Sequence, residues 1–248
     1  MTRRRARQRT EFNLLQLLPN MLTITAICAG MTAIRFGIQG NYALAMQLIL
    51  AACVLDGLDG RLARRLGGGS DLGAELDSLA DFLNFGVAPG LVIFFWALQD
   101  IPGTGWIFVL FYAVCCVMRL ARFNVSSRSE NAPGESRYFT GVPAPAGALL
   151  VTLPMSASFA FANAPLVPDL AICAFMAGVG LLMISRIPTP SLKLVRISRE
   201  NVRYVLVGLV VLGGAVLTYA WITLVVLCLA YIATVVWALM RRDTPEQN

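Results

Sequence analysis

An all-α, polytopic membrane protein is predicted by three observations. Of the 248 residues, 57% are hydrophobic and only 14% are charged, where a soluble domain carries roughly 25%. The apolar residues gather in runs long enough to cross a bilayer, and the basic residues gather between alternate runs. With a mean hydropathy of +0.70, disordered, collagen-like and coiled-coil chains are excluded.

The chain opens with a basic segment, 1–17, carrying Arg3, Arg4, Arg5, Arg7 and Arg9. Residues 10–18 alternate Phe12, Leu14, Leu15, Leu17 and Leu18 with Glu11, Asn13 and Gln16, and Pro19 follows. That pattern fits a short helix lying in the interface on anionic lipid, and equally a basic tail obeying the positive-inside rule. A secretory signal fits poorly, because the following apolar run is too long and no small-x-small site ends it.

A hydrocarbon core ~30 Å thick needs about 20 helical residues. Eight such stretches lie near 18–38, 41–60, 76–98, 104–121, 145–163, 169–186, 203–219 and 221–240. The last two divide a 37-residue run, Tyr204 to Met240, which is too long for one helix without large tilt. Gly213-Gly214 and Thr218-Tyr219 mark a turn within it. The chain therefore divides into the segment 1–17, a membrane domain 18–202, and a C-terminal hairpin with a short tail, 203–248.

Charge fixes an orientation. Nineteen of the twenty basic residues fall before span one or after spans two, four, six and eight, and Arg35 is the exception. Lys and Arg concentrate in cytoplasmic loops, so both termini are expected in the cytoplasm, as in a multi-pass protein of the inner membrane. The charge of +6 thus marks a membrane face and implies no nucleic-acid partner.

The chain has no histidine. The commonest general base and zinc ligand is therefore absent, and catalysis falls to carboxylates, Lys, Arg, Tyr, Ser or Cys. The six cysteines, at 28, 53, 115, 116, 173 and 228, all sit in apolar runs without C-x2-C spacing. They read as buried thiols.

Six of the fourteen acidic residues crowd between positions 56 and 81. Asp56 and Asp59 close span two, and Asp77 and Asp81 open span three. The i, i+3 and i, i+4 spacings put each pair on one helix face, and the short connection lets the two helix ends meet. Four carboxylates at the edge of lipid must be protonated, paired or metal-bound. Solvated helix-end charges would explain one of them, but not four at this spacing. Oxygen-only ligation points to a hard cation, Mg2+, Mn2+ or Ca2+, and four carboxylates carry enough charge for two. Gly57, Gly60, Ala63, Gly73 and Ala74 leave room nearby, and Arg64 is placed to fork onto a phosphate. A cation transporter could also use intramembrane acids, but these lie at one face and no inverted repeat is visible.

Together the residues read D56-x2-D59-G60-x2-A63-R64-x8-G73-x3-D77-x3-D81. This pattern resembles the signature of the CDP-alcohol phosphotransferase family at every fixed position. The resemblance implies a membrane-embedded homodimer on a six-helix core, moving a phosphatidyl-type group from a CDP-linked donor to an alcohol and releasing CMP. It further implies Asp56, Asp59 and Asp77 as metal ligands, Asp81 as ligand and base for the acceptor hydroxyl, two Mg2+ or Mn2+ ions per site, and Gly60, Ala63, Arg64 and Gly73 lining the CDP site. The extra pair, 203–240, is then a peripheral addition.

Three more stretches, L-P-N-M-L-T (18–23), R-L-A-R-F-N (119–124) and Y-F-T-G-V-P-A-P-A (138–146), are similar to those of the integral-membrane phosphatidylserine synthases of bacteria and archaea, with S-R-I-P-T-P-S-L-K (185–193) a weaker match. That subfamily implies CDP-diacylglycerol and L-serine as substrates. Arg119 and Arg122, beside Asn124, could hold the serine carboxylate or serve only as positive-inside anchors. Asn20 and Thr23 could face the cytidine or cap a helix. Glycerol 3-phosphate, an inositol phosphate or choline are the alternative acceptors, and Tyr138 and Phe139 keep an aromatic cage for choline open.

Overall fold

The computed structural model describes residues 14–66, 71–128, 138–161, 166–185, 188–190 and, apart from positions 209, 212 and 217, 208–242. Helix α1 runs Leu14–Ile38 and α2 runs Tyr42–Arg65. Between them Gly40 takes φ 76°, a left-handed turn that glycine adopts without strain, and the Asn41 side chain caps α2 by accepting from the Leu44 N–H at 3.3 Å. The hairpin closes tightly because Ala26, Ala33, Ala45 and Ala52 are buried along it, and small side chains let membrane helices approach.

Helix α3, Asp71–Asp81, passes into a π-helical turn, Phe82–Val87, and then into α4, Ala88–Ala97. Pro89 explains the widened turn: it has no N–H to offer the carbonyl four residues back, that of Phe85. The Tyr112 hydroxyl donates to that carbonyl at 2.7 Å. Tyr112 stands on α5, Pro102–Arg128. Helices α6, Ala144–Val151, and α7, Leu153–Phe161, meet at 43°, where Pro154 withdraws another helical donor. Helix α8 is Asp169–Ile184 and α9 is Ala220–Arg242. A short antiparallel ribbon pairs β1, Tyr138–Thr140, with β2, Pro188–Pro190.

Among the described residues, five helices are long and apolar enough to cross a bilayer, and six if α6 and α7 form one bent span. The expected eight is not reached among the described residues. Helix α8 has 16 residues, about 24 Å, and stops where the chain turns at Ser185 toward the ribbon. Of the seventh expected span, 203–219, residues 203–207, 209, 212 and 217 lie outside the described residues, and each described position from 208 to 218 is helical. Of the interfacial helix expected at 10–18, residues 10–13 lie outside the described residues, and from Leu14 the chain is already part of α1, which continues through Pro19.

A buried core of Ala, Val, Ile, Met and Cys joins α1, α2, α4, α5, α6 and α8. Large apolar side chains such as Met31, Ile107, Leu170 and Leu229 face outward, as expected for a lipid-contacting surface. All six cysteines are unpaired, and Cys115, Cys116, Cys173 and Cys228 are buried.

Gly141 ties the ribbon to the end of α8. Its φ is +82°, and a Cβ there would stand 2.6 Å from the Met183 carbonyl oxygen and 2.7 Å from that of Ser185. Neither backbone atom can move aside cheaply. Gly141→Ala is expected to cost about 2 kcal/mol or more, lowering the unfolding midpoint in detergent by roughly 4 °C or more; an unchanged midpoint would contradict this packing.

Candidate active site

The site is assembled on two helix stripes. Asp56, Asp59, Gly60 and Ala63 follow i, i+3, i+4, i+7 on α2, and Gly73, Asp77 and Asp81 follow i, i+4, i+8 on α3, so each set shares one face. Helix α3 packs on α1 more than on α2, which leaves the acids to meet across a gap. One carboxylate oxygen each from Asp56, Asp59 and Asp77 lies within 4.8 Å of the others. Asp81 stands beside Asp56, outside that group of three.

Two atoms expose the electrostatic problem. Asp59 Oδ1 and Asp81 Oδ1 are both buried with no hydrogen-bond partner, a costly condition for carboxylate oxygens. The other Asp59 oxygen, Oδ2, accepts a 2.7 Å hydrogen bond from Thr23. Thr23 is itself buried on α1, with its hydroxyl also 3.1 Å from the Pro19 carbonyl oxygen. Three converging carboxylates, one of them with an orphaned buried oxygen and a second such oxygen on neighbouring Asp81, fit a hard divalent cation.

Open space borders the acids. A Cβ placed on Gly57 or on Gly60 would meet nothing within 4 Å, so the α2 face beside Asp56 and Asp59 is unobstructed among the described residues. Ala63 and Gly73 are half-buried on its border, and Arg64 is exposed one turn beyond Gly60. Asn20 is half-buried on α1, one turn before Thr23.

The three residues considered for the acceptor carboxylate separate. Arg119 is half-buried and lies within electrostatic range of Asp81 and Asp56, with its guanidinium 5.8 Å from the Phe123 ring centre. Arg122 is exposed and donates through Nη1 to the Ile184 carbonyl at 2.8 Å, gripping the end of α8. Asn124 donates to Ser78 Oγ at 2.6 Å, which fastens α5 to α3 next to Asp77. The side chains of Tyr138 and Phe139 lie outside the described residues.

Sequence reasoning missed several of these contacts. Thr23 is 36 residues from Asp59 and Ser78 is 46 from Asn124, and no local pattern announces either pair. Asn84, one turn past Asp81, is buried against Gly30 of α1; a polar residue at that point in an apolar run was the available signal.

Residues 16–185 match the sequence model for CDP-alcohol phosphatidyltransferase. The chain is 39% identical over 236 residues to a CDP-diacylglycerol--serine O-phosphatidyltransferase of Mycobacterium leprae, covering 95% of this chain and 78% of the relative. It is 34% identical over 177 residues to a protein of the same name from Bacillus subtilis, covering 71% and 91%. It is 31% identical over 175 residues to the archaetidylserine synthase of Methanothermobacter thermautotrophicus, covering 70% and 69%. With the match spanning more than half its length, the chain belongs to the CDP-alcohol phosphatidyltransferase family.

Proposed function

We propose that this chain is a phosphatidylserine synthase: it transfers the phosphatidyl group of CDP-diacylglycerol to the hydroxyl of L-serine and releases CMP. The observation that carries the reading is the convergence of Asp56, Asp59 and Asp77 within 4.8 Å, beside Asp81 and an open glycine-lined face. The names of the relatives support serine as the acceptor.

Asp56, Asp59 and Asp77, with Asp81 completing the set, would hold two divalent cations, Mg2+ or Mn2+. Bound there, the ions supply charge neutralisation for the diphosphate and make the phosphorus electrophilic. Asp81 takes the proton from the serine hydroxyl; the serine oxygen bonds to the phosphorus that carries diacylglycerol, and the bond to CMP breaks. Gly60, Ala63, Arg64 and Gly73 border the space for CDP, and Arg64 is free to follow the phosphates because it is exposed. Asn20 stands on the same side of α1. Thr23 holds Asp59, and Asn124 holds α3, so both act by positioning. Arg119 faces the acceptor.

The reaction sits at the cytoplasmic face of the inner membrane, with both termini on that side, as the distribution of basic residues supports. The acyl chains then stay in lipid while the polar head enters the site. The working unit is a homodimer, as is usual in the family.

In an assay with labelled serine and CDP-diacylglycerol, CMP release should depend on serine. Release with glycerol 3-phosphate, inositol phosphate or choline and none with serine would overturn the reading. Asp81→Asn should abolish turnover while largely retaining CDP-lipid binding; an equal loss of binding would make Asp81 chiefly a ligand. Thr23→Val should raise the Mg2+ or Mn2+ concentration for half-maximal activity by roughly tenfold or more, and an unchanged metal titration would show that the Thr23 bond does not support the ligand set.

A further inference from the structure

The C-terminal helix lies beyond residues 16–185 that match the family, yet it reaches the site. Helix α9 runs antiparallel to α6 and α7. Near its start the Trp221 ring lies 4.9 Å from that of Phe159, and further along the Cys228 thiol lies 3.5 Å from the Leu149 carbonyl oxygen. Tyr231 follows Cys228 by three residues, so it shares the inward face. Its phenol comes within electrostatic range of the Arg119 guanidinium.

These groups stand at similar depths along their own helices. Tyr231 precedes the end of α9 at Arg242 by 11 residues, Arg119 precedes the end of α5 at Arg128 by 9, and Asp56 precedes the end of α2 at Arg65 by 9. Asp81 follows the start of α3 at Asp71 by 10. At 1.5 Å per residue, all four stand roughly 14–17 Å in from those helix ends.

The Tyr231 hydroxyl oxygen is buried, and no hydrogen-bond partner reaches it among the described residues. Buried hydroxyls are nearly always paired, and a phenol has one hydrogen to donate. Within electrostatic range of it, the Arg119 guanidinium presents a planar fork of donors suited to a carboxylate. Arg119 is also within electrostatic range of Asp81 and Asp56. Donors against acids is the arrangement that orients a zwitterion, with its carboxylate toward Arg119 and its ammonium toward the acidic side.

We propose that Tyr231, together with Arg119, binds the carboxylate of the amino-acid acceptor, so that the C-terminal helix contributes a substrate-binding residue to a site otherwise built within the family region. This inference rests on serine as the acceptor. The phenol O–H donates one hydrogen bond to a carboxylate oxygen and the guanidinium supplies the charge. No bond is made or broken there.

The test uses the full-length chain in mixed micelles, with CMP release followed while serine and CDP-diacylglycerol are varied separately. Tyr231→Phe removes only the hydroxyl, and it should raise the KM for serine roughly three- to tenfold, leaving the KM for CDP-diacylglycerol and the thermal midpoint unchanged. Arg119→Lys should raise the serine KM further, whereas Leu229→Ala, on the lipid-facing side of α9, should leave all three values alone. An unchanged serine KM in Tyr231→Phe, or a loss of kcat and midpoint together with both KM values, would overturn the assignment. A wild-type chain without serine-dependent release would overturn the proposed reaction itself, an outcome distinct from a silent Tyr231→Phe.

Discussion

Repulsion among the clustered carboxylates is the constraint on which the rest of this structure depends. Three oxygens within 4.8 Å of one another repel by about 3 kcal/mol per ionised pair at an effective dielectric of ~20. Three such pairs approach the whole folding stability of a typical domain, about 5–15 kcal/mol. The acids therefore stay together only if positive charge offsets them and if the backbone holding them cannot yield. The first requirement makes a divalent cation the natural complement of the site. The second accounts for the fold around it: α1 and α2 close on buried alanines, Thr23 reaches from α1 to fix one Asp59 oxygen, and Asn124 reaches from α5 to Ser78 beside Asp77.

Between α3 and α4 the chain keeps α1 as a neighbour and takes on α5. Asp77 and Asp81 have to face α2, while the lower half of the same span has to pack on α1 and α5. A regular helix carries one face straight through, and the π turn at Phe82–Val87 rotates the lower half relative to the upper. Pro89 makes the turn possible by releasing the Phe85 carbonyl, and Tyr112 makes it affordable by donating to that carbonyl at 2.7 Å. Close approach then follows through glycines: Gly30 against Asn84 and Gly37 against Val92.

Much of this was legible in the sequence because lipid imposes a length and acids impose a geometry. Runs such as 104–121 and 221–240 matched α5 and α9 because about 20 apolar residues have one stable form in hydrocarbon. The spacing of Asp56, Asp59, Asp77 and Asp81 disclosed the cluster because helical periodicity is local. What stayed hidden was set by tertiary contact. Nothing near Thr23 announces Asp59, and hydropathy treats 145–163 as one run although Pro154 divides it into α6 and α7. Arg119 and Arg122, three residues apart, looked equivalent; only packing against the end of α8 turned Arg122 toward Ile184 and left Arg119 with the acids.

The motifs far apart in sequence also come together in one place. Arg122 bonds to the carbonyl of Ile184, Gly141 rests against the carbonyls of Met183 and Ser185, and Tyr138–Thr140 pairs with Pro188–Pro190. Residues of the stretches 119–124 and 138–146 thus meet the end of α8 and the strand Pro188–Pro190. The signature acids lie within 26 residues on α2 and α3, whereas the contacts of Arg122, Gly141 and the ribbon gather at the end of α8, from parts of the chain far apart in sequence.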